Sequence, residues 1–368
     1  MGLIFPLFSL FLNSKGVHSI EIGFILTVAI IISTLTQPIW GKSSDRFNKK
    51  NLQILLTITL ALAFFLTTYG NCLLDFLVSS IFIYTCTEAL NSVSVALVTS
   101  LVQTGNIGRG FGQWRISISL GWIIATLFSG LLTEIFDFSA IFISSSIMSL
   151  ISIFVLLSIK DDRTLEKGEK SSMSFDFIWK NHNLLKIYIA ILLVWVVLPS
   201  LDSFLALYMT HPPLQVPNTL ISLAFSISAI AEIPAMLYLG QLSDKIGRKL
   251  ILSICFLSFP FRLFLTAVSS NIINILFAQL FSALTFGGLY VVSMAYISDV
   301  TSIEIRGSAV SFLTISMNVG NILGSAITGA LIDILGFKMM YILMAFYSIL
   351  PCLFFLIVIR ETLPSASR

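Results

Sequence analysis

The sequence predicts an all-α, polytopic membrane protein built as two related halves of six helices each. Three observations carry that prediction. The 368-residue chain is 57% hydrophobic and 11% charged, with a mean hydropathy of +0.97, whereas soluble domains run near about 25% charged. Apolar runs of about 20 residues, the length that crosses a bilayer core, recur along the whole chain. The second half repeats landmarks of the first at a fixed offset. The polar surface a soluble enzyme requires is missing. A net charge of +3 is too small for a phosphate-binding face, so no nucleic-acid partner is expected.

Apolar runs fall at 20–40, 51–70, 76–102, 114–133, 138–159, 184–209, 218–240, 250–268, 271–298, 307–333 and 338–359. They make eleven full spans. The opening stretch, Met1 to Leu12, is a twelfth candidate, apolar but too short to cross. It lacks the basic start and small-residue cleavage site of a signal peptide. Of the 21 basic residues, all but Lys15, Arg262 and Lys338 fall on one set of loop ends, which leaves 18 on a single side. The positive-inside rule makes that side cytoplasmic, together with the central loop, the C-terminus and the N-terminus of a complete chain. The expected divisions are a first half at 1–159, a charged linker at 160–183, a second half at 184–359 and a tail at 360–368. A bacterial inner membrane is the expected location, with the lipid bilayer as a partner and a monomer as the working unit.

The two halves register at an offset of 199 residues. Gly41 and Asp45 fall on Gly240 and Asp244, Lys49-Lys50 on Arg248-Lys249, and Gly130, Glu134 and Phe138 on Gly329, Asp333 and Phe337. Six helices, a charged linker and six related helices imply parallel repeats that rock about a midplane site. The register sets Met1 opposite Ser200, although the seventh span, counting the opening stretch as the first, begins near Leu184. The expectation is a first helix whose start is truncated or mis-assigned, because a chain end in mid-bilayer is unfavourable.

Gly240-Gln-Leu-Ser-Asp244-Lys245-Ile-Gly247-Arg248-Lys249 resembles the G-x-L-[AS]-D-[RK]-x-G-R-[RK] loop of the major facilitator superfamily, in its usual place after the eighth helix. Gly41-Lys-Ser-Ser-Asp45-Arg46-Phe-Asn-Lys49-Lys50 resembles the first-half copy, departing at Ser43 and Asn48. The resemblance covers essentially the whole chain and implies a twelve-helix transporter. It also implies that both loops act as conformational gates closing the inner side. Phe111-Gly112-Gln-Trp-Arg115 followed by Gly121-Trp122 resembles the entry to the fifth helix of lactose permease and phenylpropionate-permease-like symporters. Arg262 and Glu232 resemble their ninth-helix arginine and eighth-helix glutamate. The histidine and acid of that branch's tenth helix fall here on Ser282 and Thr285, so its sugar specificity and proton route do not carry over.

Ionisable groups inside spans cost roughly 2.5–3.5 kcal/mol each on insertion scales, so they mark function. Glu88, Asp202, Glu232 and Arg262 lie within the fourth, seventh, eighth and ninth spans, and Arg115 stands at the entrance of the fifth. A carboxylate alternating between a wet and a closed cavity can load and release a proton. A movable Glu232–Arg262 pair is therefore the expected coupling device, with a fixed ion pair as the alternative. Glu88 and Asp202 are candidates for coupling, solute contact or helix packing, and Arg115 for an anion ligand or part of the inner gate. Small-residue stripes at Gly121, Gly320, Gly324 and Gly329 are expected to let helices pack closely. Trp195, Tyr208, Tyr238 and Tyr290 are candidates to line a cavity, and Asn318 and Asn321 to bond across helices, with cavity lining as their alternative.

Other chemistries find no support. His18, His182 and His211 lie apart, with no metal-ligand spacing. The glycines from Gly105 to Gly112 follow a helix and lack the GK[ST] of a nucleotide loop. The four cysteines sit in apolar runs and read as small hydrophobic side chains. No cofactor, metal or catalytic apparatus is expected. The expected function is secondary active transport of a small organic solute, by proton symport or by efflux through antiport. The rival from another class is a receptor or scaffold that kept the fold without transport.

Overall fold

The structure, a computed structural model, describes residues 1–101, 107–158, 181–302 and 305–362; within them, the side chains of residues 45, 46, 96, 99–101 and 107–115 are not described. The linker through residue 180 and the tail from residue 363 lie outside the described residues. The chain divides into two compact units, Met1–Ser171 and Ser172–Arg368.

The first unit opens with a 3-10 turn at Phe5–Leu7 and a short helix α1 (Phe8–Ser14). Then come α2 (Ser19–Arg46), α3 (Lys49–Thr68), α4 (Leu73–Leu101), α5 (Ile107–Ile135) and α6 (Phe138–Ser158). α1 is too short to cross a bilayer but is not loose. Phe11 is fully buried, with its ring 5.7 Å from Phe76 and 4.5 Å from Phe142, so it pins α1 between α4 and α6. α4 packs along both α2 and α3, and α3 packs on α6. Polar stitches join these apolar faces. Gln53 donates to Ser94 at 2.9 Å, and Ser146 donates to the Ala61 carbonyl at 2.9 Å.

In the second unit the seventh span is not the single helix that its apolar run predicts. It is three pieces, α7 (His182–Trp195), α8 (Leu198–Asp202) and α9 (Leu205–Thr210). The first break falls where Pro199 has no N–H to give the Trp195 carbonyl four residues back and its ring crowds that turn. At the second break Phe204 N bonds five residues back to the Pro199 carbonyl at 3.1 Å, and the Ser200 carbonyl it bypasses accepts from the Tyr341 hydroxyl at 2.6 Å. α10 (Asn218–Ile246) and α11 (Arg248–Val268) follow. The tenth span is also interrupted, with α12 (Ile272–Leu280), a π-helical segment Ala283–Gly288 and α13 (Leu289–Asp299). Glycines 287 and 288 let this segment press on α10. A Cβ at 287 would stand 3.1 Å from the Glu232 carbonyl oxygen. α14 (Arg306–Val358) is two crossings joined at Gly336, whose φ of 77° is open mainly to glycine. Among the described residues, ten segments are long and apolar enough to span, and the last of them turns once, which matches the eleven predicted runs.

The small-residue expectation divides in two. Gly320 and Gly324 of α14 lie against α7 and the break that follows it. A Cβ at 320 would fall 2.5 Å from the Trp195 Cβ, and one at 324 would fall 2.1 Å from the Val196 carbonyl oxygen. Gly329 is buried in the same helix. Gly121, by contrast, is exposed and a Cβ there meets nothing within 4 Å. It is no close helix crossing, because a GxxxG-like spacing alone does not bring a partner helix near. Trp195 and Tyr208 are likewise corrected from cavity lining to core. Both are buried, Trp195 against Gly320 and Tyr208 with its ring 4.9 Å from that of Tyr341. Tyr238 is exposed, and the Tyr290 ring stacks on Phe286.

Gly324→Ala is expected to destabilise the protein by at least ~1–3 kcal/mol, because backbone has to move to admit the methyl group. Gly121→Ala is expected to be neutral. Thermal unfolding of the two purified variants checks this, and equal midpoints would contradict the crossing at Gly324.

Candidate functional site

Three of the predicted ionisable residues converge in the second unit. Asp202 ends the short helix α8, Glu232 lies in α10 and Arg262 in α11, and the three interact electrostatically with one another. Glu232 is half-buried and accepts from the Ser228 hydroxyl, four residues earlier on the same helix, at 3.3 Å. Ser282, at the entrance of the π segment, donates at 2.9 Å to the Ser228 carbonyl and so fastens the two helices beside that carboxylate. Arg262 is 1% exposed.

The expected Glu232–Arg262 ion pair is not formed in this structure. Among the described residues no carboxylate reaches bonding distance of Arg262. The guanidinium instead meets neutral acceptors. Its Nη1 donates to Thr285 Oγ1 at 2.8 Å, and its Nη2 donates to Gln279 Oε1. Thr285 spends its own proton on the Phe281 carbonyl at 3.1 Å, which turns an oxygen lone pair toward the arginine. Thr285 and Ser282 are the positions where the resembled symporters carry an acid and a histidine. Polar residues thus keep the same helix face in use without its charges. Gln279 was missed by sequence reasoning, since a lone glutamine in an apolar run carries no charge to flag it.

In the first unit Glu88 is half-buried on α4, with Tyr84 one turn earlier in electrostatic reach. No hydrogen bond or ion pair to its carboxylate is formed among the described residues. The indole N–H of Trp40, on α2, is buried with no partner. Arg115 is on α5, but its side chain lies outside the described residues, as do those of Asp45 and Arg46.

The second-half gate loop is a tight charged network. Gly247 adopts φ 113°, which favours glycine and lets α10 end and α11 begin within one residue. Arg248 then turns back, pairing through Nη2 with Asp244 and through Nε with Asp299 of α13 at 2.9 Å, while Nη1 donates to Ser243 at 2.6 Å. Glycine has no side chain to cap α11. The first two N–H groups of that helix, from Arg248 and Lys249, donate to the Glu361 carboxylate at 3.0 and 3.1 Å. Glu361 is a second residue the sequence reading passed over; its only signal is an acid just past the last span. Gly240 supplies a close approach to Val291, Lys245 is exposed, and Lys249 enters the network through its backbone.

The first-half copy solves the same turn differently. Asn48 keeps φ at −59° and caps α3 itself, its side-chain oxygen accepting from Asn51 N at 3.0 Å. The departure from glycine at this position is therefore matched by a change of cap. Gly41 meets nothing within 4 Å, Lys42 is exposed, and Lys50 reaches the Leu157 carbonyl at 2.8 Å. Lys49 opens α3.

Two helical units, discontinuous spans and ionisable side chains within those spans define a multi-pass membrane protein, and the comparisons with known proteins place it among transporters. The chain belongs to the MFS_1-like family, whose model matches residues 1–343. An uncharacterized MFS-type transporter of Methanocaldococcus jannaschii is 23% identical, over 95% of this chain and 92% of that protein. Multidrug resistance protein 2 of Bacillus subtilis is 23% identical, over 91% of this chain and 85% of its own length. In fold, the chain is similar to the nucleoside transporter NupG, with a TM-score of 0.85 at 16% identity over 96% of this chain and 95% of that one. It is also similar to a bacterial homologue of the lysosomal transporter Spinster, with a TM-score of 0.80 at 12% identity, over 96% of this chain and 92% of that one.

Arg248→Lys is expected to slow solute transport several-fold, because one ammonium cannot serve Asp244, Asp299 and Ser243 in the fixed fork that a guanidinium provides. Lys249→Gln is expected to keep near-native transport. Initial rates in proteoliposomes of matched protein content check both, and an unaffected Arg248→Lys variant would contradict the network's role.

Proposed function

We propose that the chain moves a small organic solute by alternating access and couples that movement to protons, with Glu232 as the proton carrier and Arg262 as its electrostatic partner. The observation that carries this reading is the company these residues keep. Two carboxylates and a guanidinium sit within spans where each costs roughly 2.5–3.5 kcal/mol, in electrostatic reach of one another yet not locked into a fixed pair. A fixed structural pair would have used the carboxylates first. Asp202 and Glu88 are proposed as supporting acids or solute contacts, and Arg115 as a solute ligand or gate residue. Asp202 ends a broken helix, the kind of element on which transporters place binding groups.

Symport is the reading that follows from the resemblance of Glu232 and Arg262 to residues of proton symporters. A second reading, efflux by proton antiport, is favoured by the curated relatives, among them the Bacillus multidrug resistance protein and a sugar efflux transporter of Salmonella typhimurium. The names of the relatives and fold neighbours span drugs, sugars and nucleosides, which supports an organic solute.

The test uses the full chain in proteoliposomes with a lumenal pH dye and an imposed pH gradient, challenged in turn with ethidium, uridine and lactose beside a Glu232→Gln variant. Solute-dependent proton movement that the variant loses is the expected result. Inward co-movement would establish symport, and counter-movement antiport. Movement that survives in Glu232→Gln would overturn the carrier assignment. Solute equilibration without protons would make the chain a uniporter, and binding without flux would leave the receptor reading.

A further inference from the structure

Arg262 and Gln279 form a buried pair with an imbalance of charge. They are 1% and 2% exposed, so water does not compensate them. The guanidinium brings a full positive charge and donors only; the amide brings one carbonyl oxygen, already taken by Arg262 Nη2. Two donors are then left over. Arg262 Nε and Gln279 Nε2 are both buried without a partner. Buried charges are ordinarily held by opposite charge, and this one has such charge nearby. Asp202 from α8 and Glu232 from α10 act on it electrostatically.

The residue type at 279 fits a reversible hold. A carboxylate there would keep the guanidinium in a permanent buried ion pair. An apolar side chain would leave it free to turn to Glu232 or Asp202. An amide on a helical segment lets go at low cost, since its bond to Arg262 can be exchanged for a charge-assisted one. Thr285 supplies the second neutral acceptor from the π segment, an irregularity of the kind found at functional sites.

We infer that Gln279 is a positioning residue that holds the Arg262 guanidinium clear of Glu232 and Asp202 in this conformation and yields it to a carboxylate in another. The inference rests on the proton-coupling reading and adds to it the group that sets when the arginine acts. A guanidinium beside a carboxylate opposes its protonation. The side chain at 279 therefore sets the pH range over which the site takes up its proton.

The experiment needs no solute, only protons. Proton binding by the purified full chain is followed with a pH indicator from pH 5 to pH 9 for wild type, Gln279→Met and Gln279→Glu. Each is also made with Glu232→Gln, and the step that this second change removes is compared. In Gln279→Met, which has similar bulk and no acceptor, the step is expected to move toward acid by about one pH unit. In Gln279→Glu, which fixes the guanidinium, it is expected to move the other way. A merely structural glutamine would leave the Gln279→Met step in place or move it toward alkali, and that result would overturn the inference. If Gln279→Met does not fold, Gln279→Leu, which also lacks an acceptor, takes its place, because the charge added by Gln279→Glu raises the step under either reading. If Glu232→Gln removes no step from wild type, the proton-carrier reading itself fails, an outcome distinct from a step that is present and does not move.

Discussion

Hydrocarbon offers backbone N–H and C=O groups no partner, and the rest of this structure depends on that constraint. It explains why the described spans are helical and why two departures from a regular helix are each accompanied by a specific compensation. Where the seventh span breaks a second time and Phe204 N bonds to the Pro199 carbonyl, the Tyr341 hydroxyl takes the Ser200 carbonyl left over. Where the tenth span slips into a π turn, Leu289 N bonds five residues back to Leu284 and glycines let α10 close over it. Asp202 and Thr285 stand at these irregular places, and Glu232 of α10 packs against the second of them. Broken backbone and buried charge occur together because both need a polar pocket in an apolar surrounding.

Two arginines in the same unit show how position decides the partner. Arg248 sits where α10 turns into α11, beside a helix start, and collects two carboxylates and a serine. Its network ties α10, α11, α13 and the residues after the last span into one assembly, through Glu361 on the α11 N-terminus. Arg262 lies deep in α11 and is held by an amide and a hydroxyl. The first arrangement suits a latch that opens as a whole. The second suits a single side chain that changes partners, since neutral acceptors give up a guanidinium more readily than a carboxylate does.

Much of the fold was legible because the bilayer imposes a length. Runs of apolar residues located the spans to within a few residues, and the loop of Gly240 to Lys249 pointed to the family before any coordinates. The seventh span misled for a physical reason: Pro199 sits in a continuous apolar run, and hydropathy does not register a missing N–H. Gly121 misled because spacing shows where a helix is smooth, and not whether a neighbour lies there. At the site, charged residues could be found by their cost in a membrane, so Asp202, Glu232 and Arg262 were visible. Gln279 and Glu361 were not, the first because a neutral amide carries no such cost signal. Glu361 looked like an ordinary acid after a helix, and only the tertiary fold brings it to the start of α11.

The central claim is that Glu232 couples protons to solute movement and does not merely bind solute or hold the fold. Solute exchange at equal pH on both sides, measured beside accumulation driven by a pH gradient, separates these roles in one preparation. For Glu232→Gln the account predicts that exchange persists while gradient-driven accumulation is lost, because a permanently neutral side chain can accompany solute across but cannot carry a proton with it. Accumulation that survives in the variant, or loss of both activities together, would contradict it.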